Sequence, residues 1–223
     1  MSQVPPTARA ARPSPVQEPP AREPVRGLLL AAGEGRRMGG PKALLRTAAG
    51  GPTLVETGIR ALLGGGCNGV TVVVGASADE VRLLADRVGA GADVEVVDCP
   101  DWREGMGASL RAGLAAVGPR AVDAVVVTLV DLPDVGVPVV RRLVAAVREA
   151  GPWRTALARA AYGGVPGHPA LIGRTHWSAV VATATGDRGA RDHFATTPHL
   201  LVEVGDLGTG RDVDTPADLH RLE

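Results

Sequence analysis

From residue 25 onward, short runs that are apolar almost throughout alternate with longer stretches in which apolar positions recur every three or four residues. The short runs, predicted as strands, are residues 25–30, 69–74, 94–97 and 124–129. The longer stretches, predicted as helices, are residues 53–63, 78–88, 106–117 and 138–149. Thr53 stands as a cap at the head of the first helix, Gly64-Gly65-Gly66 stops it, and Pro138 opens the fourth near its first turn. Past Gly151 the rhythm loosens. Short strands are expected over 155–159, 170–172 and 200–204, with helices between them and a last helix near 216–222. No internal repeat is present.

Strands without polar alternation are buried on both faces, so strand–helix alternation of this kind argues for a sheet covered by helices above and below. The expected fold is α/β, a Rossmann-like three-layer sandwich around a mostly parallel, partly mixed sheet. The 223 residues suffice for one such domain. Residues 1–24 stand apart, with seven of the 18 prolines and, of aliphatic residues larger than alanine, only Val4 and Val16. A segment so poor in apolar groups cannot offset its ordering entropy and reads as a disordered tail, leaving 25–223 as the domain.

Composition narrows the chemistry. Aromatic residues make up 2% of the chain and the formal net charge is zero. Duplex binding favours a basic excess and single-strand binding favours stacking aromatics, so a small molecule is the expected partner rather than nucleic acid. No apolar stretch has signal-peptide or membrane-spanning character, and the two cysteines, Cys67 and Cys99, form neither a disulfide framework nor a zinc motif. A cytoplasmic location is expected.

In open parallel sheets the ligand sits beyond the carboxyl ends of the strands. Residues 31–42 follow the first strand, 98–109 the third, Val130-Asp131-Leu132-Pro133 the fourth, and Arg211-Asp-Val-Asp-Thr-Pro216 the last. The first of these holds the chain's single lysine, Lys42, against 23 arginines among 24 basic residues. A compact ammonium behind a glycine loop can meet phosphate oxygens as a point charge, where a planar guanidinium demands a fork geometry. Gly33-x-Gly35 is not a dinucleotide fingerprint, because the sixth position is Met38. Nor is it a Walker loop, because Pro41 separates Gly40 from Lys42 and no hydroxyl follows.

Leu30-Ala-Ala-Gly-Glu-Gly-Arg-Arg-Met-Gly-Gly-Pro-Lys42 resembles the signature loop of nucleotidyltransferases that move a nucleoside monophosphate from an NTP onto a phosphate. Backbone N–H groups near Ala31, Ala32, Gly33, Gly35 and Arg36 would approach the triphosphate, while Arg37 and Lys42 would neutralise charge on the α-phosphate and the leaving pyrophosphate. Asp131, at the end of a buried strand, is a hard-cation ligand or a turn cap. Asp214 is the second cation ligand, or the cap of the helix that Thr215-Pro216 opens. In the resembled family two acids at these places hold Mg²⁺.

Three further stretches, Asp101-Trp-Arg-Glu-Gly-Met-Gly-Ala-Ser-Leu-Arg-Ala-Gly113, Gly167-His168-Pro169 and Gly186-Asp-Arg-Gly-Ala-Arg191, resemble segments of the molybdenum cofactor cytidylyltransferases, MobA-like NTP transferases. The likeness runs from about residue 26 to the C-terminus. It implies transfer of CMP from CTP to the phosphate of molybdopterin, release of pyrophosphate, and transient contact with a molybdoenzyme or its chaperone. It also implies contacts of Gly107, Ser109, His168 and Arg191 with nucleotide or acceptor. Plainer readings stand beside these: a helix cap for Ser109, a turn for His168, a solvated arginine for Arg191. Trp102, Trp153 and Trp177 read as packing or surface residues. The chain departs from the family in Asp98-Cys99-Pro100, where Asn-Pro is usual, and in Asp131-Leu-Pro in place of Asp-Gln-Pro. Guanylyl or other NTP transfer to another phosphorylated acceptor, NAD(P)H-dependent oxidoreduction and a non-catalytic cofactor-binding module are the competing functions.

Overall fold

A computed structural model describes residues 24–222. The tail expected over 1–24 lies outside them except for Pro24, whose carbonyl accepts from Asp123 N–H at 2.7 Å and Ala124 N–H at 3.2 Å. Seven strands form one sheet: β1 (Val25–Ala31), β2 (Val70–Val74), β3 (Val94–Asp98), β4 (Ala124–Leu129), β5 (Leu157–Tyr162), β6 (Val165–Gly173) and β7 (Leu200–Glu203). Their order is β3-β2-β1-β4-β6-β5-β7, and only β6 runs against its neighbours. The mostly parallel, partly mixed sheet expected from the sequence is the one observed. Because β1 lies between β2 and β4, the strand order reverses at their carboxyl ends, where such sheets open a crevice.

Two helical layers cover the sheet. In β1, Leu29 and Ala31 point to the layer of α1 (Leu54–Gly64), α2 (Ala78–Val88) and α4 (Val137–Ala150), against Ile59, Leu62, Val81 and Leu143. Leu28 and Leu30 point to the opposite layer, against Leu110 and Leu114 of α3 (Met106–Val117) and Val180 of α5 (Trp177–Thr183). Phe194 of the short α6 (Arg191–Thr196) extends this second layer. Full burial of side chains such as Leu28 and Leu29 contributes roughly 2 kcal/mol each, so the two-sided apolar run specifies both the strand and its depth. The Thr53 cap becomes a full capping box: the Glu56 carboxylate accepts the Thr53 N–H at 2.7 Å, and Thr53 Oγ1 accepts the Glu56 N–H at 3.4 Å.

The region past Gly151 differs from expectation. The two short strands expected at 155–159 and 170–172 are longer and form a hairpin closed by Gly163-Gly164, with φ of 61° and 80°. Two consecutive positive φ values match the strand twist in a two-residue turn and favour glycine. The register shifts opposite the stretch between Pro166 and Ala170, which lets β6 contain prolines that cannot donate to a ladder. The expected last helix is a 3-10 helix over Pro216–Leu222. Among the described residues no helix is long and apolar enough to cross a membrane.

Candidate active site

The chain leaves β1 at Ala32 and turns through Gly35, which holds φ of 64°. A Cβ at Gly35 would lie 1.9 Å from the Gly40 carbonyl oxygen, so only glycine closes this loop. The Gly35 carbonyl accepts from Met38 N–H at 2.8 Å and Gly40 N–H at 3.3 Å. This tight turn returns the chain to the sheet edge at Pro41, and Lys42 opens a 3-10 turn there.

Lys42 Nζ donates to Asp131 Oδ2 at 2.9 Å and to Asp214 Oδ1 at 2.8 Å. The three side chains are drawn from the β1 loop, the end of β4 and the C-terminal loop. Lys42 and Asp131 retain 15% and 18% of their side-chain exposure, so the pair is weakly screened, while Asp214 retains 35%. Asp214 also accepts from Arg37, whose side chain is largely exposed. Desolvation opposes the Lys42 charge, but the nearby Asp131 charge and hydrogen bonds to both aspartates outweigh it and raise the ammonium above its ordinary value. Hydrogen bonds from Lys42 and then Arg37 hold the Asp214 carboxyl below its ordinary range.

Asp214 is free for this role because another residue organises the following turn. Asp218 Oδ2 accepts from Thr215 N–H at 2.9 Å and Thr215 O–H at 2.8 Å. The cap reading of Asp214 therefore fails: the turn is satisfied from Asp218, and the Asp214 carboxylate faces Lys42.

These groups line a cleft of about 400 Å³, a volume suited to a small-molecule ligand. Of the residues singled out from the sequence, Ala32, Gly33, Gly35, Arg36, Arg37, Lys42, Ser109, Asp131 and Asp214 line it. Ser109 lies one turn inside α3, whose N-cap is Gly105, so it neither opens nor caps the helix. Ala31 is buried in β1, outside the lining. Gly107 also lies outside it: a Cβ there would meet the Ala184–Thr185 backbone at 2.8 Å, so its small size serves helix packing. His168 and Arg191 are absent from the lining as well; their places on β6 and at the first residue of α6 set them to one side.

With Arg103 and Asp187, also in the lining, Trp102 is one of the cleft residues that sequence reasoning missed. Its ring lines the cleft, Arg103 stacks over it 4.3 Å from the centroid, and a Cβ at Gly75 would come within 2.5 Å of it. Its place directly after β3, at the carboxyl edge of a parallel sheet, was the signal for it.

Two carboxylates that already share one cation are a donor set suited to a hard divalent ion. No group of three or more His, Cys, Asp or Glu residues able to hold a metal occurs among the described residues, so other ligands would be phosphate oxygens and water, as is usual for Mg²⁺.

The sheet with its reversal of strand order, the glycine loop and the aspartate pair define a nucleotide-transferring α/β enzyme. The chain belongs to the family of the MobA-like NTP transferase domain, whose model matches residues 27–201. It is 39% identical over 208 residues to nicotine blue oxidoreductase of Paenarthrobacter nicotinovorans, covering 89% of this chain and 96% of that protein. Among solved structures, Rv0371c of Mycobacterium tuberculosis H37Rv is 30% identical with a TM-score of 0.69, covering 91% of this chain and 98% of that one. Rv0371c is also known in complex with manganese, at 30% identity and a TM-score of 0.66 over 89% of this chain and 97% of that one. A nucleotidyl transferase from Methanothermobacter thermautotroptrophicus shares the fold at 23% identity and a TM-score of 0.67, over 89% of this chain and 95% of that chain.

Proposed function

We propose that this enzyme transfers CMP from CTP to the phosphate of molybdopterin and releases pyrophosphate, with Mg²⁺ as the required cation. The observation that carries this reading is the Lys42 ammonium held between Asp131 and Asp214 at the mouth of the glycine loop. In the reaction an acceptor phosphate oxygen forms a bond to the α-phosphorus of CTP, and the bond from that phosphorus to the bridging oxygen of the β-phosphate breaks. The loop around Gly33 and Gly35 would bring backbone close to the triphosphate, while Lys42 exchanges its carboxylates for phosphate oxygens and meets the charge that develops on them. Arg37, exposed beside Asp214, would turn toward the departing pyrophosphate. Asp131 and Asp214 would hold Mg²⁺, which when bound supplies positive charge against the triphosphate oxygens. That Rv0371c is known in complex with manganese supports a divalent cation in the reading. The product would pass to a molybdoenzyme or its chaperone in the cytoplasm.

The test is a pyrophosphate-release screen of the four NTPs with Mg²⁺, with and without molybdopterin. Release with CTP that depends on molybdopterin supports the proposal. Release with GTP alone, or with a different phosphorylated acceptor, would keep the reaction class and replace the substrates.

A second reading, NAD(P)H-dependent oxidoreduction, is favoured by the 39% identity to nicotine blue oxidoreductase. Against it stands the loop, which has Met38 where a dinucleotide fingerprint needs its third glycine. Assay of NADPH oxidation with a dye acceptor separates the two, and NADPH consumption at enzyme turnover rates would establish the second.

A further inference from the structure

Three polar groups beside the cleft lack the partner their burial or charge calls for. Arg159 on β5 is half-buried, yet no ion pair to a carboxylate is present for it among the described residues. Its Nε donates to the Gly167 carbonyl at 3.3 Å, and its guanidinium lies over the Phe194 ring, 5.3 Å from the centroid. A neutral carbonyl and an aromatic face answer only part of a desolvated unit charge, which is costly to leave uncompensated. Other arginines of the chain are answered by acids: Arg26 by Asp93, Arg82 by Asp98, Arg120 by Glu95, Arg154 by Asp123. The acid nearest this cluster in sequence, Asp192, is taken by Arg188 at 2.5 Å.

Arg191 adds a second guanidinium. It is exposed, and its charge acts on Arg159, where desolvation and then Arg191 hold the pKa below the ordinary arginine range. Like charges are thus kept together rather than spread apart. The third group is His168, whose Nδ1 is buried with no partner. Nδ1 is thus the ring nitrogen left to meet a ligand, and on a neutral ring it can accept through its lone pair. Burial and the Arg159 charge push the ring down to about 4, which keeps it neutral at pH 7.

Topology explains why these groups meet. Arg159 pairs with Ala170, and Ala170 pairs with Val127, so the three strands share a level near the carboxyl end of β4. The register shift between β5 and β6 falls opposite Gly167 and His168, and such irregularities re-aim side chains. In the order β1-β4-β6-β5, the glycine loop follows β1 and Asp131 follows β4. His168 and Arg159 then lie one and two strands beyond β4, roughly 5 and 10 Å along the edge. The loop carrying Asp187, which lines the cleft, leads directly to Arg191.

We propose that Arg159, Arg191 and His168 form a second anion subsite, separate from the triphosphate cleft, that seats a phosphate group of the other substrate. The two guanidiniums would take the oxyanion as forks, and His168 Nδ1 would accept a P–O–H hydrogen bond. Assignment to the second substrate rests on the nucleotidyl-transfer reading; phosphate binding itself does not.

Inorganic phosphate is the probe, titrated into the full chain while the His168 ring is followed by ¹H–¹⁵N NMR, with the signal assigned by its loss in His168→Gln. Saturable movement of that signal is expected in the parent chain and equally in Lys42→Gln, with the midpoint raised at least tenfold in Arg159→Gln. The exposed Arg191→Gln variant, which cannot disturb the core, is expected to raise it at least threefold. An unmoved His168 signal, or an unchanged midpoint in both arginine variants, would overturn the subsite. Repeating the titration with a non-hydrolysable CTP analogue present decides ownership. A persisting phosphate response supports the second substrate, and its abolition would give the residues to the triphosphate. Failure of CTP to turn over, with the phosphate response intact, would remove the transfer reading alone and leave the subsite standing.

Discussion

The backbone N–H of Val213 donates to the carbonyl of Asp131 at 2.9 Å. This bond ties the loop after β4 to the C-terminal loop, at Asp131 itself and one residue before Asp214, the two aspartates that reach Lys42. Residues 89 and 172 positions from Lys42 thereby meet on a single ammonium. The site is a junction of three loops, so its charges are coupled to how those loops pack.

The first prediction concerns the lone lysine. Lys42→Arg keeps the charge, but the guanidinium is planar and needs a fork partner where two carboxylates approach one nitrogen from different loops. Turnover is expected to fall about 100-fold, the scale of losing one transition-state donor. Steady-state pyrophosphate release checks it, and an unchanged kcat would make the lysine incidental.

A second prediction lies far from the cleft. Arg26 is 1% exposed at its side chain and bonds Asp93 at 2.5 Å, Thr71 Oγ1 at 2.8 Å and the Val70 carbonyl at 3.1 Å. Asp93→Ala leaves that buried charge with only Glu95, 3.9 Å away, and is expected to cost about 2 kcal/mol, less than a fully buried pair because Asp93 is half exposed. Arg26→Met removes the charge and keeps the length, so its cost should stay within about 1.5 kcal/mol. Urea midpoints of the two variants give the comparison, and the reverse order would contradict it.

The third prediction is a pH window. His168 has a folded value of about 4 against an ordinary 6.5. Between those values the unfolded chain binds the proton and the folded chain does not. Stability tied to the neutral ring is therefore complete above pH 6.5 and is lost as pH falls toward 4, by at most about 3 kcal/mol. Glu203, held low by N–H groups of Gly164, Gly163 and Gly205, has its loss at lower pH, below the ordinary carboxylate value. The drop in urea midpoint from pH 7 to 4.5 should be visibly smaller in His168→Gln than in the parent chain. An equal drop would place the pH sensitivity elsewhere.

What could be read from sequence follows from how local each signal is. The strands β1, β2 and β4 were legible because nearly every position faces a helical layer, which leaves an unbroken apolar run. Thr53 announced its helix as a cap, whereas the reciprocal bond from Glu56 emerged only in the structure. Asp131 was legible through its position just past the buried strand β4, and Lys42 as the single lysine in the glycine loop that follows β1. The β5–β6 hairpin was missed because Pro166 and Pro169 argue against a strand, and only the register shift in three dimensions admits them. That Asp214 is freed by Asp218 was likewise invisible, because both acids are plausible caps for the same turn. Trp102 reads as a packing or surface residue because its place after β3 brings it to the sheet edge but does not aim its ring over Gly75. Arg159 drew no notice, because an arginine lacking an acid is a statement about neighbours from other elements.

The central claim is that Asp131 and Asp214 hold the cation of the transfer reaction. Asn at position 131 keeps the shape and hydrogen-bonding span of the side chain but removes one unit of negative charge from the end of β4. The direct measurement is a Mg²⁺ titration of pyrophosphate release by the parent chain, Asp131→Asn and Asp214→Asn, with CTP binding without metal followed in parallel. The predicted result is a loss of turnover of at least about 100-fold in Asp131→Asn, with an equal or milder loss in Asp214→Asn and a raised Mg²⁺ requirement in both. Metal-free CTP binding should be retained. An unaltered Mg²⁺ dependence in Asp131→Asn would contradict the assignment and leave the proposed transfer without its cation site.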